Sequence, residues 1–234
     1  MIINLDCIEY IKNIESNSID LVLIDPPYGI SKNSNFKSHS KLANPDLVKK
    51  YNFSIDFGDW DKEEIDWDFL FMQFYRILKE GGTLIIFYDV WKSTSIRLLA
   101  DKYKFNQPRV CQWQKTNPVP VNSKLNYLSN SIEFFFTFVK GKKPTFNSKY
   151  DNGVYRYPIC HGNERTEHPT QKPISLIRDI ILKHSNPGDL VLDTFAGSGT
   201  TGEACVLTDR NYILIERDEK YFNIIKNRLE IKTK

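Results

Sequence analysis

The residues Asp25-Pro26-Pro27-Tyr28 place an acid, a rigid turn and an aromatic ring directly after a short apolar run, Leu21–Ile24. A continuous apolar run of this length is typical of a strand buried on both faces of a parallel sheet. Prolines cannot donate to a strand ladder and they stiffen the chain, so the strand ends at this point. Because open α/β sheets bind ligands beyond the carboxyl ends of their strands, we predict that this turn carries chemistry.

A second candidate site is the glycine-rich segment Phe195-Ala196-Gly197-Ser198-Gly199, which follows the predicted strand Leu190–Asp193 and precedes a predicted helix. Glycines there let the backbone approach a ligand closely, and the start of the helix offers free amides. Glu216 ends the next predicted strand, where an acid can accept both hydroxyls of a ribose. The segment lacks a third glycine and a P-loop lysine, which argues against a nicotinamide or triphosphate ligand. We therefore predict a nucleoside without phosphates.

The composition is that of a globular protein of 234 residues, with 41% hydrophobic and 26% charged residues. No apolar run reaches the ~20 residues that a membrane span needs, and the N-terminus lacks a signal-peptide pattern, so we expect no membrane contact. The four cysteines are scattered, with no pair at metal-binding spacing, which predicts reduced thiols, a cytoplasmic protein and no metal site.

The alternation of strand and helix patterns predicts an α/β fold with a largely parallel sheet. A helix is expected over residues 63–79, closed by Gly81-Gly82. Two long polar segments, residues 30–58 and 140–167, are expected to be loops. The net charge of +3 is small, but lysines are concentrated in both segments. Basic loops that flank a catalytic pocket suit a phosphate backbone, so we predict nucleic-acid contacts at Lys32, Lys37, Lys41, Lys140, Lys142 and Lys143 of these segments and at Lys124 between them.

Taken together, these motifs resemble those of the beta-type (permuted) DNA amino-methyltransferases of bacterial restriction–modification systems, of the adenine-N6 type. The resemblance covers most of the chain and includes the order of the motifs, with the catalytic turn before the glycine-rich segment. It also includes His168-Pro169-Thr170-Gln171-Lys172-Pro173, which resembles the family's segment around the methionine end of the cofactor.

The resemblance implies a class I S-adenosylmethionine-dependent methyltransferase fold, a mostly parallel twisted sheet with helices on both faces. It implies one domain over residues 1–234, with a catalytic half at about 1–139 and a cofactor half at about 168–234. The catalytic positions would be Asp25, Pro26, Pro27 and Tyr28. The positions that would bind S-adenosylmethionine are Asp6, Cys7, Asp25, His168, Thr170, Gln171, Lys172, Asp193, Phe195, Ala196, Gly197, Ser198, Gly199, Thr200, Glu216 and Arg217. Asn117 and Glu133 resemble positions that border the target pocket.

The implied reaction moves a methyl group from S-adenosylmethionine to the exocyclic amine of adenine in duplex DNA. An aromatic amine is a poor nucleophile, because its lone pair is delocalised into the ring. Asp25 and the carbonyl of Pro26 would accept its two hydrogens, and Tyr28 would stack on a base rotated out of the duplex. Two alternatives remain open: the same scaffold acting on the cytosine N4 amine, and a nucleic-acid-binding module without catalysis. A homodimer and a cognate restriction endonuclease are possible partners.

Overall fold

Eight strands form one sheet in the computed structural model of the chain, which describes residues 1–27, 65–119 and 128–232. Of the described residues, 1–26 and those from 66 onward group into one compact unit. In chain order the strands are β1 (Ile2–Ile3), β2 (Ile19–Ile24), β3 (Leu78–Phe87), β4 (Asn106–Lys115), β5 (Ile132–Val139), β6 (Val154–Tyr157), β7 (Leu190–Asp193) and β8 (Asn211–Ile215).

The sheet has the strand order β1-β8-β7-β2-β3-β5-β4-β6. The pairs from β1 to β3 are parallel, and β5 runs antiparallel to both of its neighbours. The prediction of a largely parallel sheet is therefore confirmed. The carboxyl ends of all strands except β5 lie at one edge of the sheet, which we call the carboxyl edge. The opposite edge, where these strands begin, is called the amino edge.

Helices cover the sheet on both faces. They are α1 (Cys7–Tyr10), α2 (Trp67–Ile77), α3 (Ser93–Lys102), α4 (Ile174–His184), α5 (Thr200–Val206) and α6 (Glu219–Lys232). Helix α4 packs on the face that carries Leu21 and Ile85, whereas Phe71 of α2 contacts Phe138 with ring centroids 6.3 Å apart. No helix in the described ranges is both long and apolar enough to cross a lipid bilayer.

Strand β2 lies at the centre of the core, as its apolar sequence predicts. Four consecutive side chains, Leu21 to Ile24, are at most 1% exposed. Burial of each such aliphatic side chain stabilises the fold by about 1.5–3 kcal/mol. This packing fixes the position of the turn that follows at Asp25.

The predicted helix end at Gly81-Gly82 is wrong. Helix α2 begins after Asp66, whose carboxylate accepts a hydrogen bond from Phe69 N (3.0 Å), and it ends at Ile77. Both glycines lie inside β3, next to a register shift in the β2–β3 pairing. A Cβ atom at Gly81 would lie 2.7 Å from the carbonyl oxygen of Lys143. The glycines therefore allow close backbone approach within a sheet, as at a bulge.

The prediction of one long loop over residues 140–167 is also wrong. This segment contains β6, which pairs in parallel with β4 at the margin of the sheet, and a 3-10 helix at Gly162–Glu164. Tyr155 of β6 is 3% exposed and packs against Phe135 in the core. A polar, aromatic sequence around a four-residue strand gave no clear period from which the strand could be predicted.

Candidate active site

Asp25 lies directly after β2, at the carboxyl edge, and its side chain is 26% exposed. The proline that follows is buried, and Pro27 is half-buried. Asp25 Oδ2 lies 2.5 Å from Lys172 Nζ. Tyr28 lies outside the described residues, and so do Lys32, Lys37, Lys41 and Lys124. The structure thus gives the acid of the predicted catalytic turn a rigid position and a cationic partner.

The Lys172 side chain is 7% exposed and connects two carboxylates. Its Nζ lies 3.2 Å from Glu133 Oε2, and Glu133 Oε1 lies 2.8 Å from Lys115 Nζ. Burial would lower the pKa of Lys172, but the charges of Asp25 and Glu133 raise it above its ordinary value. Burial would raise the pKa of Glu133, but Lys172 and Lys115 lower it below its ordinary value. Both groups are therefore charged at neutral pH, in an alternating chain that we call the ionic chain: Lys115, Glu133, Lys172 and Asp25.

The glycine-rich segment forms a tight turn between β7 and α5. Gly197 has a φ of +50° and Gly199 a φ of +78°. A Cβ atom at Gly197 would lie 2.9 Å from His168 Nε2, so the turn and the segment that contains His168 approach closely. Ala196 is buried and Phe195 is half-buried. The left-handed conformation and the tight space explain why glycine occupies these positions.

Two acidic side chains accept hydrogen bonds from the backbone of this turn. Glu216, after β8, accepts hydrogen bonds from Gly197 N (2.8 Å) and Asp218 N (2.9 Å), and burial raises its pKa. Asp193, at the end of β7, accepts from Thr201 Oγ1 (2.6 Å) and Phe195 N (3.0 Å). Burial raises the pKa of Asp193 to about 7, although these two hydrogen bonds act in the opposite direction. Acids with raised pKa values that gather at one edge are typical of ligand sites.

Residues 168–172 line the same turn. Burial lowers the pKa of His168 to about 4, and its ring lies 4.6 Å from that of Tyr221. Gln171 holds the local backbone, since its Oε1 accepts from Thr166 N and its Nε2 donates to the carbonyl of Glu164. Thr170 is exposed. The carbonyl of Lys172 accepts from Thr200 Oγ1 at 3.2 Å, which joins this segment to the first residue of α5.

Ser198 and Thr200 are buried and bind one another and α6. Their hydroxyls lie 3.1 Å apart, and Arg228 donates to the carbonyl of Ser198 at 3.0 Å. Arg228 also pairs with Glu203 of α5. Arg228 was not among the site residues predicted from the sequence. Its place in an ordinary charged helix gave no signal, because only the tertiary fold brings it to the turn.

Asp6, Cys7 and Arg217 lie further along the carboxyl edge. Asp6 begins α1 by accepting a hydrogen bond from Ile8 N at 2.7 Å, and Arg217 Nη1 lies 3.9 Å from its other oxygen. Cys7 is buried, and burial raises the pKa of its thiol to about 12. The thiol is therefore protonated at neutral pH, and it acts as a small apolar side chain.

The prediction that Lys140 contacts DNA is wrong. Its side chain is buried, and its Nζ donates to Asn17 Oδ1 and to the carbonyl of Leu78, both at 2.7 Å. Lys142 and Lys143 are exposed, but like Lys140 they follow β5 at the amino edge. The antiparallel direction of β5 puts its start, with Glu133, at the carboxyl edge and its end at the opposite one. Sequence distance alone did not reveal this reversal.

Comparison with known proteins shows the family to which this chain belongs. A family model described as DNA methylase matches residues 19–227. The Type II methyltransferase M2.MboI of Moraxella bovis is 31% identical over 242 residues, covering 95% of this chain and 85% of the relative. This chain belongs to the DNA methylase family. Type II methyltransferase M.HinfI of Haemophilus influenzae is 34% identical to the methylase over 255 residues, covering 97% and 67% of the two chains.

Solved structures confirm the predicted fold class. M1.HpyAVI, solved as a complex with SAM, superposes on the methylase with a TM-score of 0.72 and 29% identity over 98% of both chains. PvuII DNA methyltransferase, described as cytosine-N4-specific, has a TM-score of 0.75 at 18% identity, covering 99% of the methylase and 89% of that chain. The prediction of a restriction–modification DNA methyltransferase is likewise confirmed by the family match and the Type II relatives.

Proposed function

We propose that this methylase transfers a methyl group from S-adenosylmethionine to the 6-amino group of adenine in duplex DNA. The observation that carries the proposal is the position of Asp25. Its carboxylate is held by Lys172 at the carboxyl edge, beside the glycine turn and its two buried acids. The carboxyl edge therefore brings together Asp25, which can accept a hydrogen of an amine, and the glycine turn, which a nucleoside can approach closely.

The residues at the turn fit S-adenosylmethionine. A side chain at Gly197 would fill the space beside His168, so the glycine keeps a cradle open. Glu216 is bound to two backbone amides and presents a fixed carboxylate of the kind that accepts ribose hydroxyls. When bound, S-adenosylmethionine supplies an electrophilic methyl group on a sulfonium. The family match and the SAM complex of M1.HpyAVI confirm the prediction of this cofactor.

The chemistry of Asp25 follows from its charge and its place. A carboxylate is purely an acceptor, so Asp25 accepts a hydrogen of the target amine, and the carbonyl of Pro26 accepts the other. This draws the nitrogen toward tetrahedral geometry and exposes its lone pair. Much of the rate then comes from positioning. Stacking of the flipped base on Tyr28 stays a prediction, since Tyr28 lies outside the described residues.

The choice of adenine rests on residue 25 and not on the fold. A methyltransferase described as cytosine-N4-specific shares this fold, so the architecture serves both amines. In the family that this sequence resembles, adenine enzymes usually carry Asp at the first position of the catalytic motif, and cytosine enzymes usually carry Ser. The N4 amine of cytosine is therefore the second candidate.

The carboxyl edge is also the face proposed for duplex DNA. Exposed apolar side chains lie beside it, with Trp91 90% exposed after β3 and Leu128 82% exposed before β5. Aromatic and apolar side chains of this kind stack on bases or separate them. A cytoplasmic location, a homodimer and a cognate restriction endonuclease stay predictions.

Mass spectrometry of nucleosides from plasmid DNA of expressing cells tests this function. We expect 6-methyladenine with the wild-type methylase and none with Asp25→Ala, while calorimetry shows S-adenosylmethionine bound by both proteins. A peak of 4-methylcytosine without 6-methyladenine would overturn the choice of base. Absence of both modified bases, from a protein that binds the cofactor, would overturn the reaction itself.

A further inference from the structure

We propose that Lys172 is a positioning residue for Asp25, joining the glycine turn to the catalytic acid. The inference deepens the proposed function and rests on it. The sequence resemblance assigned Lys172 to the cofactor site. The geometry points instead to a side chain that binds protein carboxylates, on a backbone that binds the start of α5.

The contacts of Lys172 run in two directions. Its Nζ contacts Asp25 Oδ2 at 2.5 Å and Glu133 Oε2 at 3.2 Å. Its carbonyl accepts a hydrogen bond from Thr200 Oγ1, directly after the glycine turn. Lys172 also precedes Pro173, which is the N-cap residue of α4 and is buried. The backbone of Lys172 is therefore held on both sides, and its two ion pairs hold the ammonium group.

The ionic chain crosses the carboxyl edge from β2 to β4. Glu133 lies on β5 and is separated from β2 by β3, and Lys172 spans that gap with its Nζ 5.1 Å from the centre of the Phe87 ring. Lys115, at the end of β4, contacts the far oxygen of Glu133 at 2.8 Å. Two cations and two anions alternate, so each charge has an opposite neighbour. Side chains from three segments distant in sequence thereby fix the position of the Asp25 carboxylate.

This arrangement serves the amine chemistry in two ways. An adjacent cation favours the ionised carboxylate of Asp25, which accepts hydrogen bonds at both oxygens and donates none. The contact at Oδ2 also limits rotation of the carboxylate, which sets the direction from which an amine approaches. Asp193 lies close enough for the charge of Asp25 to contribute to its raised pKa. Loss of Lys172 would therefore leave two acids repelling one another at the site.

The central experiment replaces Lys172 with Met, which keeps the length of the side chain and removes its charge. In single-turnover methyl transfer we expect a rate about 100-fold lower, as for a displaced catalytic group. The acid limb of the pH–rate profile should move to higher pH, because Asp25 takes up a proton more readily without its cation. The Kd for S-adenosylmethionine should stay within about threefold of wild type. Lys172→Arg keeps the charge and should return the acid limb to its original position.

A matched control is available on the same two strands. Lys79 of β3 pairs with Asp20 of β2 at 2.8 Å, at the amino edge. Lys79→Met removes a lysine–aspartate pair there without touching Asp25, and its transfer rate and pH profile should match wild type. Equal effects of Lys79→Met and Lys172→Met would overturn the positioning role, because a general loss of stability would then explain both.

Two further results separate this inference from the proposed function. Carbon-13 NMR of labelled aspartate follows the Asp25 carboxyl directly and needs no activity, and in Lys172→Met its resonance should titrate at higher pH. An unchanged titration, or a Kd for the cofactor weakened as much as the rate is lowered, would overturn the inference and make Lys172 a cofactor ligand. If Lys172→Met does not fold, Glu133→Gln is the second variant, because it keeps Lys172 and weakens one of its two ion pairs. This variant should slow methyl transfer about tenfold. A rate equal to that of the wild type would overturn the proposal. Failure of the wild type to methylate DNA would instead refute the proposed function.

Discussion

Strand β2 carries an aspartate near each end, and the two aspartates meet different partners. At the amino edge, Asp20 pairs with Lys79, which is 46% exposed, and accepts a hydrogen bond from Leu190 N at 2.9 Å. These contacts join β2 to β3 and β7. At the carboxyl edge, Asp25 pairs with Lys172, which is 7% exposed and binds a second carboxylate. One end of the strand thus uses its charge to hold neighbouring strands, and the other gathers charges at a ligand site.

Two buried lysines repeat this contrast. Lys140 at the amino edge is bound by an amide oxygen and a carbonyl, and burial lowers its pKa, partly offset by Glu80. Lys172 at the carboxyl edge is bound by carboxylates, which raise its pKa above the ordinary value despite burial. Neutral acceptors suffice to hold a lysine in place. A lysine between two acids also fixes and neutralises those acids, which is useful where one of them must meet a substrate.

The largest expected effect concerns Asp193, a buried acid at the carboxyl edge whose raised pKa makes the stability of the fold depend on pH. The pKa of Asp193 is about 7 when folded and near 4 when unfolded. A raised acid pKa stabilises the fold at pH below 4, and this stabilisation is lost as the pH rises through 7. Relative to Asp193→Asn, the wild type should therefore lose up to about 4 kcal/mol between pH 4 and pH 8. Chemical denaturation of both proteins at several pH values measures the free energy of unfolding. If the two proteins showed the same dependence on pH, Asp193 would not have a raised pKa, and the prediction would be wrong.

The next effect concerns the amino edge. Lys140→Met removes the donor of two hydrogen bonds, to the carbonyl of Leu78 and to the side chain of Asn17, so we expect about 2–3 kcal/mol of destabilisation. The rate of methyl transfer by the folded protein should equal that of the wild type. Urea unfolding and single-turnover assays give the two values. A slowed reaction with unchanged stability would show that the amino edge also takes part in function.

A pair of glycines gives a smaller and more selective test. Gly81 at the amino edge and Gly197 at the carboxyl edge both have positive φ, +84° and +50°. Alanine at either position costs at least about 1–2 kcal/mol of backbone strain. Gly81→Ala should lower the melting temperature and leave cofactor affinity unchanged. Gly197→Ala should weaken S-adenosylmethionine binding about tenfold, and normal affinity by calorimetry would remove Gly197 from the cradle.

The parts of the site that the sequence predicted are those coded by short, continuous patterns. An apolar run that ends in prolines fixed β2 and Asp25, and a strand–glycine–helix pattern located Gly197 and Gly199. Glu216 was predicted because it follows the adjacent strand. Each of these signals depends on neighbours in the chain, which the physics of strands and turns restricts strongly.

The partners within the site could not be predicted in the same way. Lys115, Glu133 and Lys172 come together only because β5 reverses direction and returns its first residues to the carboxyl edge. The glycines in β3 failed as a helix end because close approach to another backbone and a helix end both select glycine. In each case the local sequence was compatible with two structures, and a tertiary contact determined which of them forms.

The smallest expected effect, an unchanged salt dependence of DNA binding, concerns two exposed lysines at the amino edge. Lys142 and Lys143 are exposed, so only their position argues against a role in DNA binding. A lysine that binds a phosphate releases a counterion, and its removal reduces the salt dependence of affinity by about 0.9 in log–log slope. The double variant Lys142→Ala and Lys143→Ala should leave this slope unchanged, whereas Trp91→Ala at the carboxyl edge should weaken DNA binding by about 1–3 kcal/mol. Fluorescence anisotropy at several salt concentrations measures both, and a slope reduced by one or two units would bring the amino edge into contact with the duplex.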